Sequence, residues 1–267
     1  NANLETIQSK INSKILNKIN NKYGFQDVII VRHILEHTHN TLEFMSTLKK
    51  IVKNDGYIVF EVPDCAKGLR INDYNTLWEE HLLYFTRATL NNSLKLGGFK
   101  IKYFEKYTYP FESVLIAIVT PQKNIKKNKK NINFEILKKE NRRVKFSNAK
   151  LLTKKKNLKI FLKKMKKNNN KIAIFGTGHS ACLFINLFEL NNFIDFAIDD
   201  NKKKTGYCIP GSDIKIFDSK ILKKENIKLC LLGMNFESEK KILKKYNSFK
   251  KNGCKFASIY PPSKYAI

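Results

Sequence analysis

Glu80 and His81 sit side by side in an apolar and aromatic frame, with Trp78 before them and Leu82, Leu83, Tyr84 and Phe85 after. An imidazole next to a carboxylate in dry surroundings can have a pKa near neutrality, which suits a general base. The competing reading is a surface Glu-His pair on an amphipathic turn, since isolated acid-histidine pairs are common. A second suggestive stretch is Gly176-Thr-Gly178-His179-Ser-Ala181, followed about 20 positions later by Asp199 and Asp200. Glycines at that spacing let a strand turn tightly into a helix and expose backbone N–H groups to an anion. A structural strand-to-helix turn fits the same residues. His179, at the head of the following helix, could contact a phosphate or complete that turn.

These residues need elements to hold them. Residues 4–23 read as a polar helix with Leu4, Ile7, Ile11, Ile15 and Ile19 on one stripe. Residues 27–31 read as a buried strand, 41–53 as a helix closed by the turn signal Asn54-Asp55-Gly56, and 57–62 as a strand stopped by Pro63. A helix over 86–96 ends at Gly97-Gly98, and two strands, 99–108 and 113–120, pair antiparallel. Strand, helix, strand, helix and closing hairpin describe the second half of a doubly wound α/β sheet. Residues 122–169 are dominated by Lys and Asn and read as one or two linker helices with solvated faces. A fresh α/β unit follows, with strands over 171–175, 193–198, 229–232 and 255–259, a helix over 182–190, and a turn-rich loop over 204–212.

Composition bounds the function. At 267 residues, 42% hydrophobic and 28% charged, the chain has the make-up of a globular protein of one large or two small domains. No apolar run approaches the roughly 20 residues needed to cross a bilayer, so no membrane association is expected. The N-terminus is polar and lacks the apolar core of a signal peptide. The chain opens on Asn1, as expected for a piece of something longer. Cysteines 65, 182, 208, 230 and 254 show no Cys-x-x-Cys or metal spacing, so no metal site is expected, and reduced thiols point to a cytoplasmic protein. The net charge of +28 comes mainly from dispersed lysines, a pattern of general residue bias, so no specific nucleic-acid partner is expected. Unselective attraction to polyanions at low salt remains, and the field can gather an anionic small substrate.

The first half, through Asp27-Val-Ile-Ile-Val-Arg-His-Ile-Leu-Glu-His37 and Asn54-Asp-Gly-Tyr-Ile-Val-Phe-Glu-Val-Pro-Asp64, resembles the latter part of a class I S-adenosylmethionine-dependent methyltransferase. The stretch from Glu80 to Phe85 narrows the resemblance to the sugar C-methyltransferase family, which acts on nucleotide-linked keto-sugars. The later segment is similar to that family's C-terminal domain, in Phe175–Ala181, Asp199-Asp-Asn201, Lys204-Thr-Gly206, Pro210-Gly-Ser212 and Asn235. The resemblance implies a partial class I methyltransferase domain over 1–121, a Lys-rich helical linker over 122–168, and a separate Rossmann-like C-terminal domain over 169–267. The family opens with a cysteine-rich zinc-binding region, then a Gly-rich loop for the methionine part of the cofactor and an acidic strand end for its ribose. None of these occurs here, so cofactor binding is expected to be weak or absent and catalysis by this chain alone impaired. Trp78 stands where the family has Tyr, replacing a phenol near a developing oxyanion with an indole N–H.

The activity so implied is C-methylation of a nucleotide-linked keto-sugar or related small molecule through an enolate. His81 is the expected base, Glu80 its orienting carboxylate and Trp78 a further catalytic group. Arg32, His33, Glu36 and His37, just past the first strand, are expected at the S-adenosylmethionine site, because open α/β sheets bind ligands beyond the carboxyl ends of strands. Capping of the next helix is the other reading of His33 and His37. Gly176, Gly178, His179, Asp199 and Asp200 are the expected substrate or nucleotide contacts. Two alternatives differ in class: a binding module that keeps the fold without catalysis, and an NAD-dependent sugar-modifying enzyme built on 171–267. The second is weakened because no Tyr-x-x-x-Lys pattern follows the Gly-rich turn.

Overall fold

Runs of Val, Ile and Phe decide where this chain makes strands, because branched and aromatic side chains pack well on a pleated surface. The structure, a computed structural model, describes residues 5–9, 11, 13–109, 112–122, 133–251 and 253–267. It divides into two units, Asn1–Lys67 with Leu77–Arg143, and Gly68–Thr76 with Val144–Ile267. No helix among the described residues is long and apolar enough to cross a membrane.

In the first unit, helix α1 (Ser13–Tyr23) leads to strand β1 (Gln26–Arg32), helix α2 (Thr41–Lys49) and strand β2 (Val52–Pro63). A short helix, α3 (Ala66–Ile71), begins here and ends in the second unit. Helix α4 (Arg87–Leu96) and strands β3 (Phe99–Thr108) and β4 (Ser113–Pro121) follow. The strands lie in the order β1-β2-β4-β3, with β1 and β2 parallel and the other two pairs antiparallel. Local chemistry sets the helix starts. The Asn40 side chain accepts from the Glu43 N–H at 3.2 Å, and Thr86 forms a reciprocal capping box with Thr89. The core gathers Leu35, Met45, Ile58, Phe60, Leu90 and Leu115, all fully buried.

Two expected boundaries are corrected. The helix read over 4–23 begins only at Ser13, residues 5–9 are not helical, and Leu4 lies outside the described residues. Ile7 and Ile11 are 36% and 42% exposed whereas Leu16 is 3% exposed, so only the later part of the stripe finds a core. Burial of an apolar face, more than propensity, sustains short helices. Asn54-Asp55-Gly56, read as a turn, lies inside β2, because Ile51 and Val52 are buried as soon as α2 ends. The register against β1 jumps from Gln26–Val52 to Val28–Tyr57, so the additional residues bulge from the ladder. Gly56 permits the crossing, since a Cβ there would stand 2.9 Å from the Asp27 carbonyl oxygen. Strand β1 ends the sheet on its side, and Val28 and Ile30 are exposed on it at 53% and 70%.

In the second unit, helix α5 (Phe134–Met165) contributes its part from Val144 onward. The described portion of the Lys-rich stretch is thus a single helix, with Ser147, Leu158 and Leu162 buried; residues 123–132 lie outside the described residues. Then come β5 (Lys171–Phe175), α6 (His179–Phe188), β6 (Phe196–Ile198), β7 (Ile216–Phe217), α7 (Ile221–Lys224), β8 (Ile227–Leu232), α8 (Phe236–Lys245), α9 (Asn247–Lys251) and β9 (Lys255–Ser258). The sheet order is β7-β6-β5-β8-β9, parallel throughout. Central β5 has no exposed residue from Ile172 to Phe175, as a strand covered on both faces requires. The strand expected over 193–198 shortens to Phe196–Ile198, because Phe193 N–H bonds back to the Leu190 carbonyl and the Asp195 carboxylate accepts from Ile172 N–H. Strand β7 was not anticipated.

Residues 68–76 belong to this second unit through Tyr74, which is 1% exposed. Its ring lies 5.9 Å from that of Phe184 and 5.1 Å from that of Phe188, and its hydroxyl donates to the Ile259 carbonyl. Tyr74→Ala should therefore destabilise the second unit by about 3–5 kcal/mol through the cavity it leaves. Tyr74→Phe should cost only about 1 kcal/mol, the hydrogen bond alone. Urea unfolding followed by circular dichroism reads both, and an unmoved midpoint in Tyr74→Ala would show that the segment is not part of this core.

Candidate functional site

The chemistry-bearing residues of the first unit meet just past the carboxyl end of β1. Three hydrogen bonds fasten residues 80–83 there. The Glu36 carbonyl accepts from Leu82 N–H at 2.9 Å and Leu83 N–H at 3.0 Å, and His37 Nδ1 lies 2.8 Å from the Glu80 carbonyl. The result sets His81 against His37, with ring centroids 4.7 Å apart and nearly perpendicular. Trp78 and Tyr84 flank the same imidazole at 6.4 Å and 5.9 Å. The Tyr84 hydroxyl closes the loop by accepting from Trp78 N–H at 3.1 Å and donating to its carbonyl at 3.0 Å.

The charged group aimed at this space is Glu36. It is 1% exposed, and neither carboxylate oxygen has a hydrogen-bond partner. His33 Nδ1 stands 3.3 Å from Oε1, within ion-pair reach but without the alignment of a hydrogen bond. Glu36, His37 and His81 each bring one ligand-type atom to within 4.8 Å of the others. Burial lowers the His81 pKa below its ordinary value; the Glu36 carboxylate works against this, while His37 and His33 add to it, and Glu80 counts least. His33 adopts a left-handed backbone with φ of 50°, held by its N–H on the Glu61 carbonyl at 3.0 Å. Such a conformation is costly for a residue with a Cβ and concentrates at functional sites.

Of the residues expected from sequence, the structure brings His33, Glu36, His37 and His81 together. Trp78 borders them and is half exposed. Arg32 points its guanidinium at Glu61, with Nε 3.1 Å from Oε1, and His33 Nε2 reaches the same oxygen at 3.4 Å. Glu80 is exposed and offers the site only its backbone carbonyl. The carboxylate facing His81 is Glu36, more than 40 positions earlier, a pairing no local spacing could reveal.

In the second unit the Gly-rich turn is used by the protein itself. Gly176 has φ of 91°, and a Cβ on it would lie 3.0 Å from the Gly233 carbonyl oxygen, while one on Gly233 would lie 2.8 Å from that of Gly176. The turns after β5 and β8 therefore touch through two glycines. Gly178 borders open space, and His179 is half-buried at the start of α6. Asp199 accepts from Thr177 N–H at 3.2 Å, from the Thr177 hydroxyl, from Asn201 N–H and from Lys204 Nζ. Burial pushes its carboxyl up, but these donors outweigh burial and leave it below the usual range. Asp200 is likewise pushed up by burial and drawn below its usual value by Ser219 and Lys245. An open recess of about 440 Å³ is lined by Leu222, Asn226, Ser248 and Phe249. It lies at the start of β8, the opposite end from where such sheets bind ligands.

Two family models match this chain, one over each part. Residues 5–103 match the methyltransferase domain, which fits the mixed α/β architecture to a Rossmann-like methyltransferase. Residues 116–261, over half the chain, match the C-methyltransferase C-terminal domain, and the chain belongs to that family. The C-methyltransferase NovU of Streptomyces niveus is 22% identical over 98 residues, 37% of this chain and 23% of that protein's length. Among solved structures, the magnesium protoporphyrin IX methyltransferase of Synechocystis PCC 6803 is 16% identical, covers 37% of this chain and 46% of its own, and has a TM-score of 0.30. The methyltransferase CalO6 is also 16% identical, over 35% of each chain, with a TM-score of 0.30. Likenesses that slight carry no weight for fold or activity.

A carboxylate buried without a hydrogen bond costs stability, of order 1–3 kcal/mol. Glu36→Met keeps the volume and the backbone carbonyl that holds Leu82 and Leu83. It should raise the thermal unfolding midpoint of the first unit, and a fall would mean that the carboxylate is a structural group.

Proposed function

We propose that this chain is the latter part of an S-adenosylmethionine-dependent C-methyltransferase acting on a nucleotide-linked keto-sugar in the cytoplasm. The observation that carries the reading is His81, half-buried and lodged between the Glu36 carboxylate and the aromatic groups of Trp78 and Tyr84. The methyltransferase-domain match over 5–103 supplies the reaction class. Five free cysteines, with Cys65 pushed up to about 12 by burial and Cys254 to about 11, agree with a reducing compartment.

The residues present fit the cofactor at one point. Glu36, buried without a hydrogen bond and with His33 Nδ1 3.3 Å away, would offer negative charge to a sulfonium cation at the strand end. S-adenosylmethionine, when bound, supplies an electrophilic methyl group. The chain's own residues deal with the proton. His81 removes it from the carbon next to the ketone, the C–H electron pair moves into an enolate, and the imidazole becomes imidazolium. Glu36 stabilises that imidazolium in surroundings where charge interactions are little screened. His37, held through Nδ1 by the Glu80 carbonyl, keeps its ring edge against His81 and limits its rotation. Trp78 covers one side of the imidazole and slows the entry of water.

Proton exchange with deuterated water at the substrate's α-carbon, followed by NMR with a panel of nucleoside-diphosphate keto-sugars, isolates the first step. His81→Ala should slow exchange by about 10²–10⁴-fold. Glu36→Gln should slow it less, and Glu80→Gln, whose side chain is exposed, should leave it nearly unchanged. Wild-type exchange persisting in His81→Ala would rule this histidine out as the base.

A further inference from the structure

We propose that Glu36, His37 and His81 form a binding site for a divalent transition-metal ion of the zinc type. The site uses residues already given roles above, and a bound ion would compete with the proton abstraction proposed for His81. Each of the three residues brings one ligand-type atom to within 4.8 Å of the others. A tetrahedral ion with bonds of about 2.0–2.2 Å sets its ligands about 3.3 Å apart, so the widest pair must close by at most roughly 1.5 Å.

A second feature points to a cation independently of the spacing. Glu36 is 1% exposed with both carboxylate oxygens lacking a hydrogen bond and the partly exposed His33 Nδ1, 3.3 Å away, in ion-pair reach, whereas buried carboxylates are otherwise found hydrogen-bonded or on metals. A third feature prepares the histidine. The Glu80 carbonyl 2.8 Å from His37 Nδ1 can only accept, so Nδ1 carries the proton and Nε2 carries the lone pair. Metal-ligating histidines are oriented in just this way, with the other ring nitrogen donating to a carbonyl or carboxylate. Two imidazoles and one carboxylate select zinc, cobalt, nickel or copper over magnesium or calcium, and three protein ligands leave a position open for water or substrate.

The net charge of +28 opposes any cation. Charges farther than the Debye length, about 8 Å at physiological ionic strength, are largely screened, so ligand chemistry decides. The ion would take the His81 lone pair, and metal occupancy would exclude proton abstraction by His81. That last consequence alone rests on the function proposed above.

The test uses the whole 267-residue chain. Co²⁺ is titrated in and followed by visible absorption, and the bound Co²⁺ is displaced with Zn²⁺. The expected result is one equivalent of Co²⁺ with the ligand-field bands of a low-coordinate nitrogen and oxygen site, abolished by Zn²⁺. Glu36→Gln, His37→Ala and His81→Ala should each weaken binding by more than about tenfold. Should a variant fail to fold, imidazole NMR of the unsubstituted chain decides. Zn²⁺ must then move the His37 and His81 resonances and leave His39 and His179 in place. No uptake, uptake equal in all three variants, or thiolate charge-transfer bands from cysteine would overturn the proposal. Loss of metal binding with intact α-proton exchange, or the reverse, separates this site from the base reading.

Discussion

The peptide carbonyl of Glu36 accepts two N–H groups, from Leu82 and Leu83, and the reactive geometry of the first unit depends on that fork. Residues 77–85 contain only turns and an isolated bridge. Their own backbone restrains His81 through a turn, its N–H on the Trp78 carbonyl at 3.1 Å, to which the fork adds a hold from outside the loop. Each backbone hydrogen bond is worth about 1 kcal/mol net. Two on one acceptor, with the His37 ring on the Glu80 carbonyl as a third, fix the loop at adjacent points and leave its side chains little freedom. Positioning of this kind, made before any ligand arrives, is what an active group needs. The fork also explains why Glu36 tolerates its own burial. Its carbonyl holds two N–H groups, so the side chain is carried inward by a peptide fastened in place.

Local costs gather in the same few residues. His33 is left-handed, Glu36 is buried without a hydrogen bond, and both lie within four residues of the end of β1. A sequence selected only for stability would place Gly or Asn at the first position and an apolar residue at the second. Unfavourable choices kept together are a mark of functional sites. The second unit is different. In its Gly-rich turn Gly176 packs against the turn after β8 while Gly178 borders open space, and Asp199 is held by Thr177, Asn201 and Lys204. Its buried Glu239 has both oxygens satisfied, by the hydroxyls of Ser258 and Ser263. Polar burial in that unit serves the fold.

The order of elements was readable because strands such as 171–175 and 57–62 are continuous apolar runs, and because Thr86 and Gly97 mark helix ends chemically. The start of β2 was not, since Asn54-Asp55-Gly56 carries every local sign of a turn and becomes strand only through its pairing with β1. The helical stripe before Ser13 misled for the opposite reason: its period is right, but no core lies beneath Ile7 and Ile11. At the site, His81 could be singled out by its aromatic neighbours, and His33 and His37 by following a strand. Glu80 drew attention by adjacency, yet the carboxylate facing the imidazole is Glu36. Glu80 lies in a turn that leaves its side chain exposed, and a contact across 45 positions leaves no trace in spacing. Tyr74 was unreadable for the same reason, because its partners Phe184 and Phe188 are more than 100 positions away.

Among the described residues the outer edge of β1 is unpaired, with Val28 and Ile30 open to solvent, and this bears on how the 267-residue chain behaves in a concentrated solution. An unpaired strand edge bearing exposed apolar side chains is a template for joining another strand. Here the safeguard is global: a charge of +28 makes two copies repel before their edges can meet. Repulsion between surfaces weakens with ionic strength, whereas the attraction between apolar edges does not. The colloidal behaviour of the protein is therefore inverted from that of a nucleic-acid binder. Dilute salt keeps copies of this chain apart, and strong salt, which would release it from polyanions, brings its own strands within reach of each other.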